Sequence, residues 1–278
     1  MTAPVRRALV VTVIVAGVAA LAPAAPEPAK LPVSDLVTAK PGAFPVILSA
    51  PHGGTKDVPD VPVRKGDGLP KGGAGFFAGR DTNTEELADA LSAAIEKVVG
   101  KKPYLVAAKF HRKFIDANRP PDIAYEDPKA KPTYEAYRQT LAAYCKEVKK
   151  TYGRGLLLDI HGQGQLNDTL IRGTQNGKTV GLLTKRFGEK AHTGPKSFFG
   201  LLSAGGMKVF PADLADKEYA TLNGGNIVQT YGSEEYGIDA IQLEFGNDFR
   251  EKKAQAATAE KVAAAVKAFA ELYLTNKD

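Results

Sequence analysis

The chain has 278 residues, 44% hydrophobic and 24% charged, an ordinary globular balance that excludes disordered and fibrous classes. Its single cysteine, Cys145, excludes an internal disulfide and any cysteine-rich metal site. The formal charge of +6 comes from scattered Lys and Arg without a clustered basic stripe, so no nucleic-acid partner is expected.

Arg6 and Arg7 precede an uncharged apolar run, Ala8 to Leu21, and Ala22-Pro23-Ala24 follows it. At about 1.5 Å per helical residue the run is too short for roughly 30 Å of hydrocarbon. The pattern predicts a signal peptide over 1–25 and export to a periplasm or the exterior, with no stable membrane insertion once the leader is cleaved. An uncleaved N-terminal anchor is the alternative. No cysteine follows the run, which excludes a lipoprotein anchor. Pro26, Pro28 and Pro32 make 26–40 a stiff linker, and 41–278 is the expected folded domain.

Strands and helices then alternate. Phe44 to Ser49 is a short apolar strand that stops at Pro51-His52-Gly53-Gly54. Residues 55–80, rich in Gly and Pro, read as a long loop. Glu85 to Val99 has helical spacing, with Leu87, Leu91, Ile95 and Val98 on one face, Thr82 and Glu85 as a possible capping box, and Gly100 as the stop. Tyr104 to Ala108 is a second strand. Tyr134 to Tyr152 is a helix ending at Gly153, with Cys145 beside its apolar stripe. Gly155 to Ile160 is nearly continuous in apolar residues, as expected of a strand buried on both faces. Asp239 to Glu244 is another strand, and Val262, Val266, Phe269 and Tyr273 mark a closing helix. The expected fold is a single α/β domain with a mixed, mostly parallel sheet flanked by helices.

Three polar residues fall at the ends of apolar strands: His52, His161 and Glu244. Sites of open α/β sheets form at the carboxyl ends of the strands. A lone strand-end histidine is usually structural, but two histidines with acidic company point to a metal. A catalytic zinc takes three protein ligands and keeps one position open. The third ligand is Asp81 or Glu85, both at the start of the first predicted helix, where acids also belong for purely helical reasons. Asp81 is preferred because it lies outside the helix and can turn back toward a strand end. In the loop after the second strand, Arg112, Asn118 and Arg119 offer a fork for a carboxylate, surface ion pairing being the plain alternative. His111 is expected to orient neighbouring groups. There is no G-x-S-x-G elbow and no Walker lysine, Gly162-Gln163-Gly164 lacks the third glycine of a dinucleotide loop, and Cys145 lies mid-helix, a poor place for a nucleophile.

These pieces occur together, and in order, in one known family. Ser49-Ala50-Pro51-His52-Gly53-Gly54, the Asp81-x-x-Thr84-x-Glu86-Leu87 helix start, His111 to Arg119, Leu158-Asp159-Ile160-His161-Gly162 and Ile241-Gln242-Leu243-Glu244 resemble the N-formylglutamate amidohydrolase family. The likeness covers roughly residues 44–250. It implies a fold similar to zinc carboxypeptidases and poly-γ-glutamate hydrolases, with one zinc ion held by His52, Asp81 and His161. Glu244 would be the base, and Asn118 with Arg119 would hold a substrate carboxylate. The expected function is zinc-dependent hydrolysis of a linear amide beside a carboxylate, with Arg112 helping to stabilise the oxyanion. The substrate would be a small anionic acyl-amino acid or peptide. The alternatives are a secreted zinc carboxypeptidase, a γ-glutamyl hydrolase, or a non-catalytic exported binding protein on the same scaffold.

Overall fold

The central strands are apolar on both faces because both faces of the sheet are covered. In the computed structural model, which describes Met1 and residues 34–71 and 75–275, seven strands form one sheet. They are β1 (Val37–Lys40), β2 (Val46–Ala50), β3 (Tyr104–Ala108), β4 (Leu156–Gly162), β5 (Leu170–Gly173), β6 (Val209–Phe210) and β7 (Asp239–Phe245), in the order β1-β3-β2-β4-β7-β5-β6. The four inner strands β3, β2, β4 and β7 run parallel. Antiparallel pairings join β1 to β3 and β5 to β7, and β6 runs parallel to β5. The expected mixed, mostly parallel α/β sheet is therefore the fold.

One face carries α1 (Thr84–Val99), the short helices α4 (Gly181–Phe187), α5 (Lys190–Thr193) and α6 (Phe198–Ala204), and the long C-terminal α9 (Gln255–Tyr273), with α8 (Asn247–Arg250) leading into it. Leu87, Leu91 and Ile95 of α1 meet Val262, Val266 and Phe269 of α9 in that core. The other face carries α2 (Pro121–Ala124), α3 (Lys131–Tyr152) and α7 (Asn226–Tyr231). Here Tyr137, Leu141, Tyr144, Cys145 and Val148 of α3 pack against Ile47, Val106 and Leu157. From β2 the chain crosses by α1 to β3 on one side, then by α3 to β4 on the other. The β2–β4 boundary is thus a switch point, where a crevice opens at the carboxyl ends of the strands.

The structure departs from the expected elements in four places. Residues 37–40, assigned above to the linker, form the edge strand β1. The capping box is not made: α1 starts at Thr84 behind a left-handed Asn83, and the Thr82 hydroxyl accepts a hydrogen bond from Arg250 instead. Two strands, β5 and β6, and several one-turn helices occupy a segment with no legible period. The strand β4 runs two residues past the expected Ile160, so His161 lies within it, and β7 runs one residue past Glu244. Apart from Met1, the proposed leader, 1–25, lies outside the described residues, as does most of the linker. Among the described residues no helix is long and apolar enough to cross a membrane.

Candidate metal centre

His52 leaves β2 into a turn that only glycine can make. A Cβ at Gly53 would sit 2.3 Å from the backbone nitrogen of Glu85, and one at Gly54 2.3 Å from the carbonyl carbon of Lys109. This close approach brings the start of α1 against the end of β2, and the Asp81 amide donates to the His52 carbonyl (3.1 Å). Asp81 thus turns back toward the sheet. Its Oδ2 lies 3.3 Å from His52 Nδ1 and 3.2 Å from His161 Nδ1, and the two Nδ1 atoms are 3.1 Å apart. The Gly162 amide donates to the same Oδ2 (3.1 Å). All three side chains are buried. Glu85 is half-buried and lies outside the cluster, and burial with the neighbouring Glu86 and Asp89 raises its carboxyl; of the two acids, the structure brings Asp81 to the histidines.

Each imidazole has a carboxylate on its far nitrogen. His52 Nε2 meets Asp116 Oδ1 at 2.7 Å, and His161 Nε2 meets Asp159 Oδ2 at 2.8 Å. A carboxylate there accepts a hydrogen bond from Nε2–H, which keeps the proton on Nε2 and leaves the Nδ1 lone pair facing inward. Two such lone pairs and one carboxylate oxygen then share a triangle with edges of 3.1–3.3 Å, a set of acceptors that calls for a cation at its centre. Tetrahedral bonds of about 2.0 Å place their ligand atoms about 3.3 Å apart, so the donor set fits zinc. Without an ion the electrostatics show the same demand. Burial acts to lower the pKa of His161, yet the Asp159 and Asp81 carboxylates outweigh it and hold the imidazole well above its ordinary value. Burial acts to raise Asp81, and His52, His161 and Arg112 outweigh it in the opposite direction.

Glu244 stands beside this cluster, paired in register with His161 across β4 and β7. Burial pushes its carboxyl up to about 7, against the pull of His161. One oxygen accepts from Gln242 Nε2 (2.8 Å), and the other makes no hydrogen bond among the described residues. Gln242 in turn accepts from the Gly225 amide (2.7 Å). Asp159 with His161, and Gln242 with Glu244, are pairs two residues apart on a strand, the spacing that puts both side chains on one face.

The remaining predicted residues reach the same cleft, of about 700 Å³, but not as free groups. Arg112 Nε and one terminal nitrogen bind Asp116 Oδ2 at 2.8 and 2.7 Å, and the other terminal nitrogen lies 3.6 Å from Asp81 Oδ1. Its guanidinium braces Asp81 directly and His52 through Asp116. Asn118 Oδ1 accepts from the Ile227 amide (2.7 Å), and its Nδ2 lies 3.3 Å from His161 Nε2. Arg119 donates to the carbonyls of Gly75 (2.8 Å) and Asn118 (2.9 Å). His111 takes no part: its Nδ1 accepts from the Lys113 amide in a local turn. Sequence reasoning assigned no role to Asp116, Asp159, Gln242 or Arg250. Strand periodicity flags Asp159 and Gln242, the partners of His161 and Glu244, once β4 and β7 are placed. Arg250 has no such signal, yet it ties Thr82, Gln163 and Phe245 together through their carbonyls, behind Asp81 and His161.

No protein-family model and no curated protein matches the chain. Solved structures do. N-formylglutamate amidohydrolase from Ralstonia eutropha JMP134 superposes with a TM-score of 0.53 at 17% identity, over 85% of this chain and 97% of that one. The Atu2144 gene product of Agrobacterium tumefaciens gives 0.58 at 15% identity, over 86% and 96%. A bacteriophage poly-γ-glutamate hydrolase gives 0.41 at 14%, over 85% and 89%. The first two share the fold of this chain, and the family that the motifs resemble is among its structural neighbours.

Proposed function

We propose that the protein is a zinc-dependent amidohydrolase that cleaves a linear amide beside a carboxylate. The observation that carries this reading is the triangle of His52 Nδ1, Asp81 Oδ2 and His161 Nδ1, with its edges of 3.1–3.3 Å, beside a carboxyl that burial has raised. A zinc ion held there would supply Lewis acidity to a substrate carbonyl and acidity to a water molecule. Glu244 takes a proton from the attacking water as the C–O bond forms. It returns that proton to the nitrogen as the C–N bond breaks, so that a carboxylic acid and an amine leave. Gln242 holds one Glu244 oxygen still, which leaves the other for the proton. Asp116 and Asp159 keep the imidazole lone pairs turned inward, and Arg112 balances the carboxylates beside them. Asn118 and Arg119, which line the cleft, mark the end where a substrate carboxylate would lie. The small anionic acyl-amino acid or peptide substrate and the export of the protein rest on the sequence reading given above.

The test is zinc content together with amine release from a panel of N-acyl amino acids. Wild type should hold one zinc and release amine. His52→Ala combined with His161→Ala should hold none, and Glu244→Gln should keep zinc and lose turnover. Equal stoichiometric zinc in the first two proteins would sink the metal site. A Glu244→Gln protein as active as wild type would remove the base.

A further inference from the structure

Phe77 lines the cleft and is 51% exposed, which is unusual for a phenylalanine in a folded core protein. Of the other large apolar side chains that stand exposed in the folded body, Val63, Val98 and Phe187 lie outside the cleft lining. The ring is held in place. Its face rests on the Arg112 guanidinium, with Cζ 4.9 Å from the ring centroid. Its edge lies against Gly79, where a Cβ would come within 2.7 Å of the ring. The strap that carries it is tied down by two more arginines: Arg64 donates to the Phe77 carbonyl (3.1 Å) and Arg119 to the Gly75 carbonyl (2.8 Å). Much of the remaining lining carries carboxamides, among them Gln175, Asn223, Asn226 and Gln229. Phe77 is therefore a fixed aromatic face, the one aromatic hydrocarbon ring among the described residues of a lining whose other apolar side chains are Pro120, Ala220 and Leu222. It stands one side chain away from Asp81, through Arg112.

We infer that Phe77 is a specificity-determining residue: it forms an apolar subsite beside the metal cluster, and the substrate lays an aliphatic or aromatic group against it next to the scissile amide. A fixed ring loses no rotamer freedom on binding, so covering it yields its full desolvation. A cleft of about 700 Å³ is also sized for ligands well beyond a formylated amino acid. This inference rests on the amidohydrolase reading for the position of the amide, but its binding arm does not need turnover.

Two substrate series test it on the zinc-loaded protein. In one the acyl group grows from formyl through hexanoyl to phenylacetyl on a constant glutamate. In the other the amino acid changes from glycine to phenylalanine under a constant acetyl group. Wild type should prefer the larger apolar group in one series, in kcat/KM and in calorimetric Kd. Phe77→Ala should reduce that preference about five- to tenfold, the amount expected for covering half a phenyl ring, and Phe77→Leu should keep most of it for hexanoyl. No apolar preference in either series overturns the inference, and so does a Phe77→Ala protein that loses the same factor on every compound. If no compound turns over while the Kd preference and its loss persist, the hydrolase reading fails and the apolar subsite stands.

Discussion

Replacing Asp159 by Asn probes the metal reading without touching a ligand. Asp159 is fully buried, and its Oδ2 accepts the Nε2 proton of His161 at 2.8 Å, while its Oδ1 is buried without a partner. Asparagine keeps the size and one acceptor oxygen and removes the charge. The imidazole lone pair then becomes a weaker donor, and its orientation is held less firmly. Removing such a carboxylate partner typically costs 10- to 100-fold in metal affinity, or about 1.4 to 2.7 kcal/mol. The loss should stay near that range because His52, Asp81 and the Asp116 contact to His52 are intact. The assay is competition for zinc against a chelator of known affinity, at one pH, with circular dichroism confirming that both proteins are folded. An unchanged zinc affinity in the folded variant would refute the argument, since His161 would then not donate its Nδ1 to the ion.

Three further outcomes follow from the same contacts. Gln242→Leu removes the hydrogen bond that fixes Glu244, of a kind worth about 1.5–3 kcal/mol when one partner is charged, so kcat should fall about 10- to 100-fold with little change in KM; steady-state kinetics with an equal change in KM would contradict it. Gly53→Ala drives a Cβ into the Glu85 backbone nitrogen and should cost about 1–3 kcal/mol in chemical denaturation, with weaker zinc retention as Asp81 is pushed off His52; a variant as stable as wild type would contradict the close approach. Asp239, at the far end of β7, is raised by burial from its ordinary 3.8 to about 7, against the amides of Leu183 and Leu182 and the charge of Arg186. A raised acid favours folding while protonated, so its contribution is complete below about pH 4 and is lost as pH climbs to about 7. Asp239→Asn should therefore gain on wild type across that window, by up to about 4 kcal/mol at about 1.4 kcal/mol for each pH unit, and a stability difference that stays flat from pH 4 to 8 would contradict it.

What could be read from the letters, and what could not, divides along a physical line. Strands buried on both faces write themselves as apolar runs, so β2, β3, β4 and β7 were visible, and with them the strand-end positions of His52, His161 and Glu244. Asp81 was preferred over Glu85 because it precedes the helix, and its backbone bond to His52 is the reason that position turns inward. A two-residue strand such as β6 and a four-residue strand such as β5 are too short to carry a period, and the carboxamides of the cleft wall come from the turn after β5, the loop after β6 and the six-residue helix α7. The roles of the arginines were hidden for a different reason. Arg112 and Arg119 were chosen as carboxylate binders from their chemistry, and chemistry alone does not say which carboxylate is in reach. The structure gives Arg112 two of the protein's own, Asp116 and Asp81. A guanidinium already shared between two carboxylates sets the charge around the ligands. It also supports the Phe77 ring on its open face, so one guanidinium joins the buried His52, Asp81 and His161 cluster to the wall of the cleft.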